Sequence, residues 1–543
     1  MKKYLYSLVL AAVMCGNSLF AQSVDQGKKF YYYERYKSAK DAFEKTLAAN
    51  PNDIVATYWL GQTLIELNDS SAAKELYQKA LTTNGNAPIL LVGMGHIELK
   101  EGRKEEARQR FETALSLTKY KDINIANAIG HAMTESKNGD AQYVIDKLTP
   151  ITQQKGFNNP TTWLVIGDAY RKLVDGGNAV QAYQKALAID PNNAAAKHRI
   201  GKIYMTQGNA DIFIPTLQDA VKADPNYGPS YFELYYYYFN RDINKAKDYY
   251  DRYMAVTDAT PANDYEKTAI LFASRRYDEA ISTANGNIAK LGAEADPKYY
   301  KLIAYCYDEK KDSIQAKNYL DQYFTKQKPD AFIPKDYEFR AKLYAKFPGN
   351  ETQALASYDQ AIALDTSLDS RLDLIASAAA LAKKSGNRSL EAKYLGQAYN
   401  SKKSPSNVDL YNWGSSNYQA GQYKTADSIF VAYTEKYPNE IFGYLWHARS
   451  LQAQDTAMTQ GLAVPAYEKL AEVSRSLDPV KYKGQAVSAY FYLVSYYNDI
   501  KKDKATAIKY LDKVLEVDPG NPDAARIKDI LSKPPKKAAG AKG

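Results

Sequence analysis

The stretch WLVIGDAYRKLVDGGNAVQAYQKALAIDP, residues 163–191, decides the fold of this chain. It combines large apolar residues with glycine and alanine at helical spacing, and it ends in a proline that stops a helix. Shifted by 34 residues, the same pattern recurs around Gly201 and Pro225, and Gly61 and Gly95 also stand 34 residues apart. A repeat of this length predicts a stack of helical hairpins rather than one compact core.

The residue types at the repeated positions follow from helix packing. Small residues stand where two helices cross closely, large aromatic residues fill the wider gaps, and prolines follow the second helix of each hairpin. The positions that carry this pattern are Gly61, Gly95, Trp163, Gly167, Tyr170, Ala179, Tyr183, Ala186, Pro191, Gly201, Pro225, Gly414 and Pro438. We predict an all-α solenoid of about fourteen helical hairpins that forms a right-handed superhelix, with a capping helix at its C-terminal end.

The spacing W-x2-L-G-x2-Y…A-x3-F-x2-A…P resembles the tetratricopeptide repeat (TPR) family. The solenoid is expected to span residues 22–532, and its clearest repeats are 54–87, 88–121, 160–193, 194–227, 297–333, 407–440 and 479–520. The abundance of Tyr, Lys and Asn in these repeats, together with the style of the N-terminus, resembles exported proteins of the Bacteroidota.

Residues 1–21 have the pattern of a secretory signal peptide. Lys2 and Lys3 precede an apolar run, and Ala21 precedes the expected cleavage site at Gln22. The apolar run is too short to span a membrane. Cys15 follows a methionine rather than the small residue usual before a lipidated cysteine, which disfavours a lipoprotein. We therefore expect an exported chain in the periplasm, with outer-membrane association as a further option.

The charge of the chain is concentrated at its ends. Two lysines near the N-terminus and four from Lys533 onward account for six of the nine net positive charges, which leaves +3 for the repeats. The repeats therefore do not predict a basic nucleic-acid groove. Residues 533–543, KPPKKAAGAKG, are predicted to be disordered, either as a solvated terminus or as a weak tether to an anionic envelope surface.

The sequence contains no motif that indicates catalysis or metal binding. The four histidines have no metal-ligand spacing, and GxSxG, GxxxxGK and CxxC motifs are missing. Cys306, within a predicted helix, is interpreted as a buried structural thiol. We therefore expect a chain that is not an enzyme and that uses no cofactor and no metal.

The resemblance implies that the first helix of each repeat lines a concave groove that receives a partner segment. Carried onto this sequence, the groove positions give the candidate residues His198, Lys202, Phe232, Tyr236, Phe239, Lys301, Tyr305, Tyr411 and Tyr418. The aromatic members suit either a bound segment or extra packing between repeats, and both interpretations stay open. Beside a basic strip from His198 and Lys202, they would suit an acidic, aromatic peptide.

These observations favour a protein-binding scaffold or assembly factor of the bacterial envelope, whose partner is another envelope protein or a peptide segment. The alternative is a module that binds glycans or other ligands in the periplasm or at the outer membrane. The sequence leaves the oligomeric state open.

Overall fold

The computed structural model describes residues 24–533, in which helices account for nearly all regular structure. The predicted signal peptide (1–21) and the predicted tail (533–543), apart from its first residue, lie outside the described residues. The chain forms two compact units, the first ending at Ala295 and the second beginning at Asp296. Within the described part, no helix combines the length and apolar character needed to cross a membrane.

The N-terminal unit contains helices α1 to α16. Their bounds are α1 24–32, α2 Tyr36–Ala49, α3 Ile54–Glu66, α4 Ser70–Thr83, α5 Pro88–Lys100, α6 Lys104–Leu117, α7 Ile123–Glu135, α8 Ala141–Thr152, α9 Pro160–Lys172, α10 Gly176–Ile189, α11 Ala194–Thr206, α12 Ala210–Ala223, α13 Gly228–Tyr238, α14 Ile243–Val256, α15 Pro261–Ala273 and α16 Tyr277–Leu291.

The C-terminal unit contains helices α17 to α29. Their bounds are α17 Lys298–Glu309, α18 Ser313–Lys326, α19 Pro334–Tyr344, α20 Glu351–Leu364, α21 Leu368–Lys384, α22 Arg388–Ser401, α23 Asn407–Gln419, α24 Tyr423–Lys436, α25 Ile441–Gln454, α26 Val464–Leu477, α27 Lys483–Ser495, α28 Lys504–Val517 and α29 Pro522–Ser532.

Consecutive helices pack as antiparallel hairpins. Each odd-numbered helix contacts the even-numbered helix that follows it, which makes fourteen hairpins from α1 to α28, and α29 packs on α28. Within the N-terminal unit, α3 also contacts α5, and α7 contacts both α5 and α9, so these four first helices form a continuous layer. The predicted all-α solenoid of about fourteen hairpins with a terminal capping helix is confirmed, and the handedness of the superhelix stays a prediction.

A glycine on the first helix of several hairpins lies against a large side chain sixteen residues later. A Cβ atom on Gly167 would lie 2.2 Å from Cε1 of Tyr183, and one on Gly61 would lie 2.2 Å from Cζ of Tyr77. The same arrangement joins Gly95 to Phe111, Gly201 to Leu217 and Gly414 to Phe430. Glycine is required here because any side chain would overlap a buried ring or a leucine.

The other repeat positions complete the interior of each hairpin. Ala179, Tyr183 and Ala186 are fully buried, and Trp163 and Tyr170 pack against the same core while remaining partly exposed. The prolines lie two residues beyond the last residue of a second helix: Pro191 follows α10, Pro225 follows α12 and Pro438 follows α24. Cys306 is fully buried in α17.

Helix α1 extends the pattern to a hairpin whose sequence lacks a clear first-helix signature. A Cβ atom on Gly27 would lie 2.5 Å from Cε1 of Phe43, which repeats the sixteen-residue relation of the later hairpins. Residues 24–32 are therefore the first helix of the first repeat. This assignment is a structural finding, because the sequence shows only the second helix of that repeat clearly.

The first hairpin also closes the N-terminal unit on itself. The hydroxyl of Tyr33 donates to Oδ2 of Asp224 at 3.0 Å, and Nε of Arg35 donates to Oδ1 of Asp258 at 3.3 Å. Ser38 donates its backbone N–H to Oδ2 of Asp258 at 3.0 Å. Repeat 1 is thus bonded to the loops that follow α12 and α14.

Candidate functional site

A cleft of about 670 Å³ lies on the concave face of the N-terminal unit, and we call it the N-terminal cleft. Helix α1 forms one wall, and the first helices α3, α5, α7 and α9 form the rest. The side chains that line it include Lys28, Tyr31, Val55, Tyr58, Trp59, Gln62, Ile89, Asn124, Asn127, His131, Thr161 and Val165. Half of these side chains are polar, but apolar and aromatic groups supply most of the exposed lining surface, as is usual for a binding cleft.

The floor of the cleft is a chain of hydrogen bonds that joins two repeats. Nδ1 of His96 lies 2.9 Å from Oε1 of Gln62, and Nε2 of Gln62 donates to the hydroxyl of Tyr77 at 2.9 Å. That hydroxyl donates to the carbonyl oxygen of Tyr58 at 2.8 Å. Burial, followed by the nearby charges of His131 and Lys100, lowers the pKa of His96 to about 3, so the imidazole is neutral at physiological pH. The floor is therefore uncharged and its polar groups are satisfied.

Aromatic rings form the wall beside α1. The Tyr31 ring meets the Trp59 ring edge-on with centroids 5.0 Å apart, and it lies 5.4 Å from the Tyr36 ring. On the opposite side, the Tyr31 centroid lies 6.4 Å from that of His131. These rings come from α1, α2, α3 and α7, so the wall exists only because the first hairpin folds over the later repeats.

One buried polar atom in the cleft has no hydrogen-bond partner among the described residues. Asn127 on α7 lines the cleft and is 7% exposed, and no donor of residues 24–533 reaches its Oδ1. A buried acceptor without a donor costs about 1–3 kcal/mol, so such atoms are rare in folded proteins. Oδ1 of Asn127 is therefore a buried acceptor whose hydrogen-bonding capacity is unused among the described residues.

Three carboxylates lie close enough to the rings of Tyr31 and Tyr36 to influence the pKa values of their hydroxyls. Glu34 lies in the turn between α1 and α2, Glu66 ends α3 and Glu135 ends α7, and none of them has an ion pair within the described part of the chain. Burial raises the pKa of Glu66, His131 opposes this shift, and the charge of Glu135 adds to it. Burial also raises the pKa of Glu34, with Arg199 opposing and Glu66 adding to the shift. These carboxylates are close enough to repel one another.

We predict that Glu66→Gln raises the thermal stability of the N-terminal unit at pH 7. The pKa of Glu66 is raised in the folded state, so folding disfavours the charged form of this carboxyl group. The protonated form favours the folded state, and this contribution to stability is complete only below the unfolded pKa of 4.5. That contribution is lost as the pH rises through the raised value. The melting temperatures of the two proteins should therefore differ most at pH 7 and converge as the pH falls. A lower melting temperature for Glu66→Gln at pH 7 would contradict this interpretation.

The predicted basic pair on α11 does not supply free positive charge. Nδ1 of His198 lies 3.1 Å from the hydroxyl of Ser230, and burial, together with the charges of Arg199 and Lys202, lowers the pKa of His198 to about 3. The ammonium group of Lys202 is bonded to the carboxylate of Glu233. These contacts do not favour a free basic strip at these two side chains, and their role in binding an acidic peptide stays a prediction.

Of the three predicted aromatic candidates on α13, two pack against a neighbouring ring and one is exposed to solvent. Phe232 lies 5.6 Å from the ring of Tyr235, and Phe239 lies 5.8 Å from the same ring, so both are largely packing residues. Tyr235 itself is buried, whereas Tyr236 is 69% exposed. The three candidates therefore do not form one continuous exposed strip, and Tyr236 alone presents most of its ring to solvent.

The candidates in the C-terminal unit also contact neighbouring helices. Nζ of Lys301 lies 2.6 Å from Oδ1 of Asp336 on α19, and the Tyr305 ring lies 4.3 Å from that of Phe339. Tyr411 and Tyr418 face Trp446 on α25, with centroids 6.4 Å and 5.0 Å apart, respectively. The structure thus places each of these side chains between adjacent first helices of the C-terminal unit.

Sequence reasoning missed the residues of the N-terminal cleft. Gln62, His96 and His131 all occupy the ninth position of their first helix, and Asn127 occupies the fifth, in repeats whose register was already recognised or outlined. Applying the groove positions to these helices would have identified Gln62, Asn127 and His131, which line the cleft, and His96, which lies in its floor. The wall contributed by Tyr31 had no such signal, because it depends on where the first hairpin folds.

Comparison with known proteins assigns the family. Models of the TPR repeat match residues 159–208, and models of the tetratricopeptide repeat match 31–80, 194–227 and 410–440. The C-terminal part of a TPR repeat-containing protein from Cytophaga hutchinsonii is 32% identical, over 48% of this chain and 98% of that one, with a TM-score of 0.27. The chain belongs to the tetratricopeptide repeat family, and its 32% identical relative comes from the Bacteroidota.

Other solved structures match at lower identity. MamA is 26% identical over 30% of this chain and 94% of its own, with a TM-score of 0.27. YrrB, described as a TPR protein with an unusual peptide-binding site, is 19% identical over 35% of this chain and 96% of its own, with a TM-score of 0.22. No curated protein sequence matches the chain at a significant level. As a member of the TPR family, the chain is a protein-interaction scaffold.

Proposed function

We propose that the chain is a non-catalytic scaffold of the bacterial envelope that holds a segment of a partner protein in the N-terminal cleft. The observation that carries the proposal is Oδ1 of Asn127, which no described residue partners, in a cleft of about 670 Å³. An extended segment would supply the missing N–H donor from its backbone or a side chain. Its apolar side chains would contact the rings of Trp59 and Tyr31.

The bonds between the first hairpin and the later repeats support this choice of surface over the rest of the concave face. The bonds of Tyr33 to Asp224 and of Arg35 to Asp258 hold the first hairpin over the later repeats. The cleft wall is therefore set in place before a partner arrives, which reduces the entropy lost on binding. The groove candidates on α11, by contrast, are already bonded to neighbouring helices.

We predict that Asn127→Leu weakens partner binding by about tenfold while leaving the fold slightly more stable. Leucine has nearly the shape of asparagine but lacks the acceptor, so the substitution removes the site of the N–H bond and also the cost of a buried unpaired oxygen, about 1 kcal/mol. The partner would be identified by crosslinking in the native envelope followed by mass spectrometry. Its affinity for the two purified proteins would then be compared, together with their melting temperatures.

The matched control is Asn318→Leu, which makes the same change at an exposed position on the second helix α18. It should leave both affinity and stability nearly unchanged. Unaltered binding by Asn127→Leu would remove the cleft from consideration. Binding to oligosaccharides in place of the crosslinked protein would instead favour the glycan alternative.

We further propose that the chain is exported, because its first 21 residues have the pattern of a signal peptide. N-terminal sequencing of the protein purified from the envelope should begin near Gln22. A cytosolic chain that retains Met1, or a chain acylated at Cys15, would contradict cleavage at this site.

A further inference from the structure

The N-terminal cleft presents an excess of hydrogen-bond acceptors over donors. Oδ1 of Asn127 is buried within it and has no partner in residues 24–533. Gln62 and His131 line the cleft, and Glu66 on α3 and Glu135 on α7 each lie one helical turn beyond them on the same helix face. The charges of Glu66 and Glu135 also raise the pKa of the Tyr31 hydroxyl beyond the effect of burial. An amide oxygen and two carboxylates can all accept hydrogen bonds from the N–H groups of an occupant.

The cations around this surface do not balance those carboxylates. Nζ of Lys28 lies 3.8 Å from Asp25, and the ammonium group of Lys202 is bonded to Glu233. Nε of Arg199 donates to Oδ1 of Asp168 at 2.9 Å. Nζ of Lys172 is bonded to backbone carbonyls at the end of α7, including that of Met133 at 2.9 Å.

Lys100 and His131 are the remaining basic groups that act on Glu66. Lys100 has no ion pair among the described residues, and its charge acts on Glu66, one of three carboxylates (Glu34, Glu66 and Glu135) that also have none there. The concave face beside the cleft is therefore locally negative, although the chain as a whole carries a net charge of +9.

We propose, on the basis of the function proposed above, that the N-terminal cleft selects a partner segment that carries a lysine or arginine next to an apolar residue. The cationic group pairs with Glu66 and Glu135, and an N–H group of the segment donates to Oδ1 of Asn127. The apolar neighbour lies against Trp59 and Tyr31, whose ring faces also attract a cation. The preferred partner is thus basic, rather than the acidic peptide that the sequence suggests.

The test compares three fluorescein-labelled peptides that differ only in charge. Each repeats the unit Gly-Phe-X-Ser three times, with Lys, Gln or Glu at X, and fluorescence anisotropy measures its affinity for the full mature chain at moderate salt. The Lys peptide should bind about tenfold more tightly than the Gln peptide. Because the chain is positively charged overall, nonspecific attraction favours the Glu peptide, so a preference for Lys reports local charge.

A double substitution, Glu66→Gln with Glu135→Gln, should remove the preference for Lys over Gln. The control, Glu75→Gln with Glu105→Gln, makes the same charge change at exposed positions on the second helices α4 and α6, and should keep the preference. If the double variant does not fold, the comparison of the three peptides on the native chain still decides the question.

The outcomes separate this inference from the proposed function. Equal binding of all three peptides, or tighter binding of the Glu peptide, would overturn the preference for a basic segment while leaving peptide binding in place. Failure of all three peptides to bind would count against peptide binding in this cleft and would overturn both proposals. Equal loss of preference in the control variant would show that the long-range field, and not the cleft, selects the charge.

Discussion

Lys301→Met is expected to lower the local free energy of unfolding around α17 and α19 by about 3 kcal/mol. The side chain of Asp336 is 1% exposed and that of Lys301 is 15% exposed, with Nζ and Oδ1 2.6 Å apart. Asp336 also accepts a hydrogen bond from the hydroxyl of Tyr323 at 2.8 Å. Methionine would fill the space of the lysine stem but would leave the buried carboxylate without its counter-charge.

Native-state hydrogen exchange is the appropriate measurement, because repeat proteins of this length need not unfold in one step. Protection should fall in α17 to α20 and remain unchanged in the N-terminal unit. The control is Lys335→Met, at an exposed position one residue from Asp336, which should change protection by less than about 0.5 kcal/mol. Equal protection in Lys301→Met and the native chain would show that Lys301 is available for binding, as the sequence suggests.

Gly167→Ala is expected to lower the local free energy of unfolding by about 1–3 kcal/mol. The new Cβ would lie 2.2 Å from Cε1 of Tyr183. That ring is fully buried and its hydroxyl donates to Oδ1 of Asp168 at 2.8 Å, so it has little freedom to move away. The substitution therefore forces α9 and α10 apart, and protection from hydrogen exchange should fall most in these two helices and their neighbours.

Gly286→Ala is the control, because it is expected to raise the local free energy of unfolding instead of lowering it. Gly286 lies inside α16, and a Cβ atom on it would meet no described neighbour within 4 Å beyond the backbone of its own helix. Alanine therefore adds helix propensity without overlap, and protection in α16 should rise by about 0.5–1 kcal/mol. Destabilisation of similar size by both substitutions would show that glycine-to-alanine changes act through something other than contact with Tyr183.

The hairpin stack could be predicted from sequence because each repeat encodes it locally. Gly167 and Tyr183 are sixteen residues apart on adjacent helices, and their size complementarity is visible in the sequence. Pro191 marks the end of the same hairpin two residues beyond α10. Since several repeats carry this pattern independently, errors in one repeat do not affect the register of the others.

The closure of the N-terminal unit could not be predicted in this way. Tyr33 and Asp224 are 191 positions apart, and Arg35 and Asp258 are 223 apart, so no periodic pattern relates them. Their meeting depends on small rotations added over all the intervening repeats. Consequently the wall of the cleft, formed by Tyr31, could be identified only in the folded structure.

The sequence already contained a sign that the predicted groove lysines are paired with acidic residues. Lys202 is bonded to Glu233, 31 positions later, and Lys301 is bonded to Asp336, 35 positions later. Both separations are close to the length of one repeat. Each acid therefore lies on the next first helix, beside the lysine that it binds. An acidic residue at this offset is therefore a signal that a groove-facing lysine is already paired.

Site-specific photo-crosslinking tests the central claim most directly. A benzophenone amino acid would replace Val55, which lines the N-terminal cleft and is 43% exposed, or Val431, which lies on the second helix α24 and is 37% exposed. After irradiation in native cells, the Val55 probe should capture a discrete protein partner and the Val431 probe should not. Equal capture from Val431, or capture from Val431 alone, would contradict a partner segment held in the N-terminal cleft.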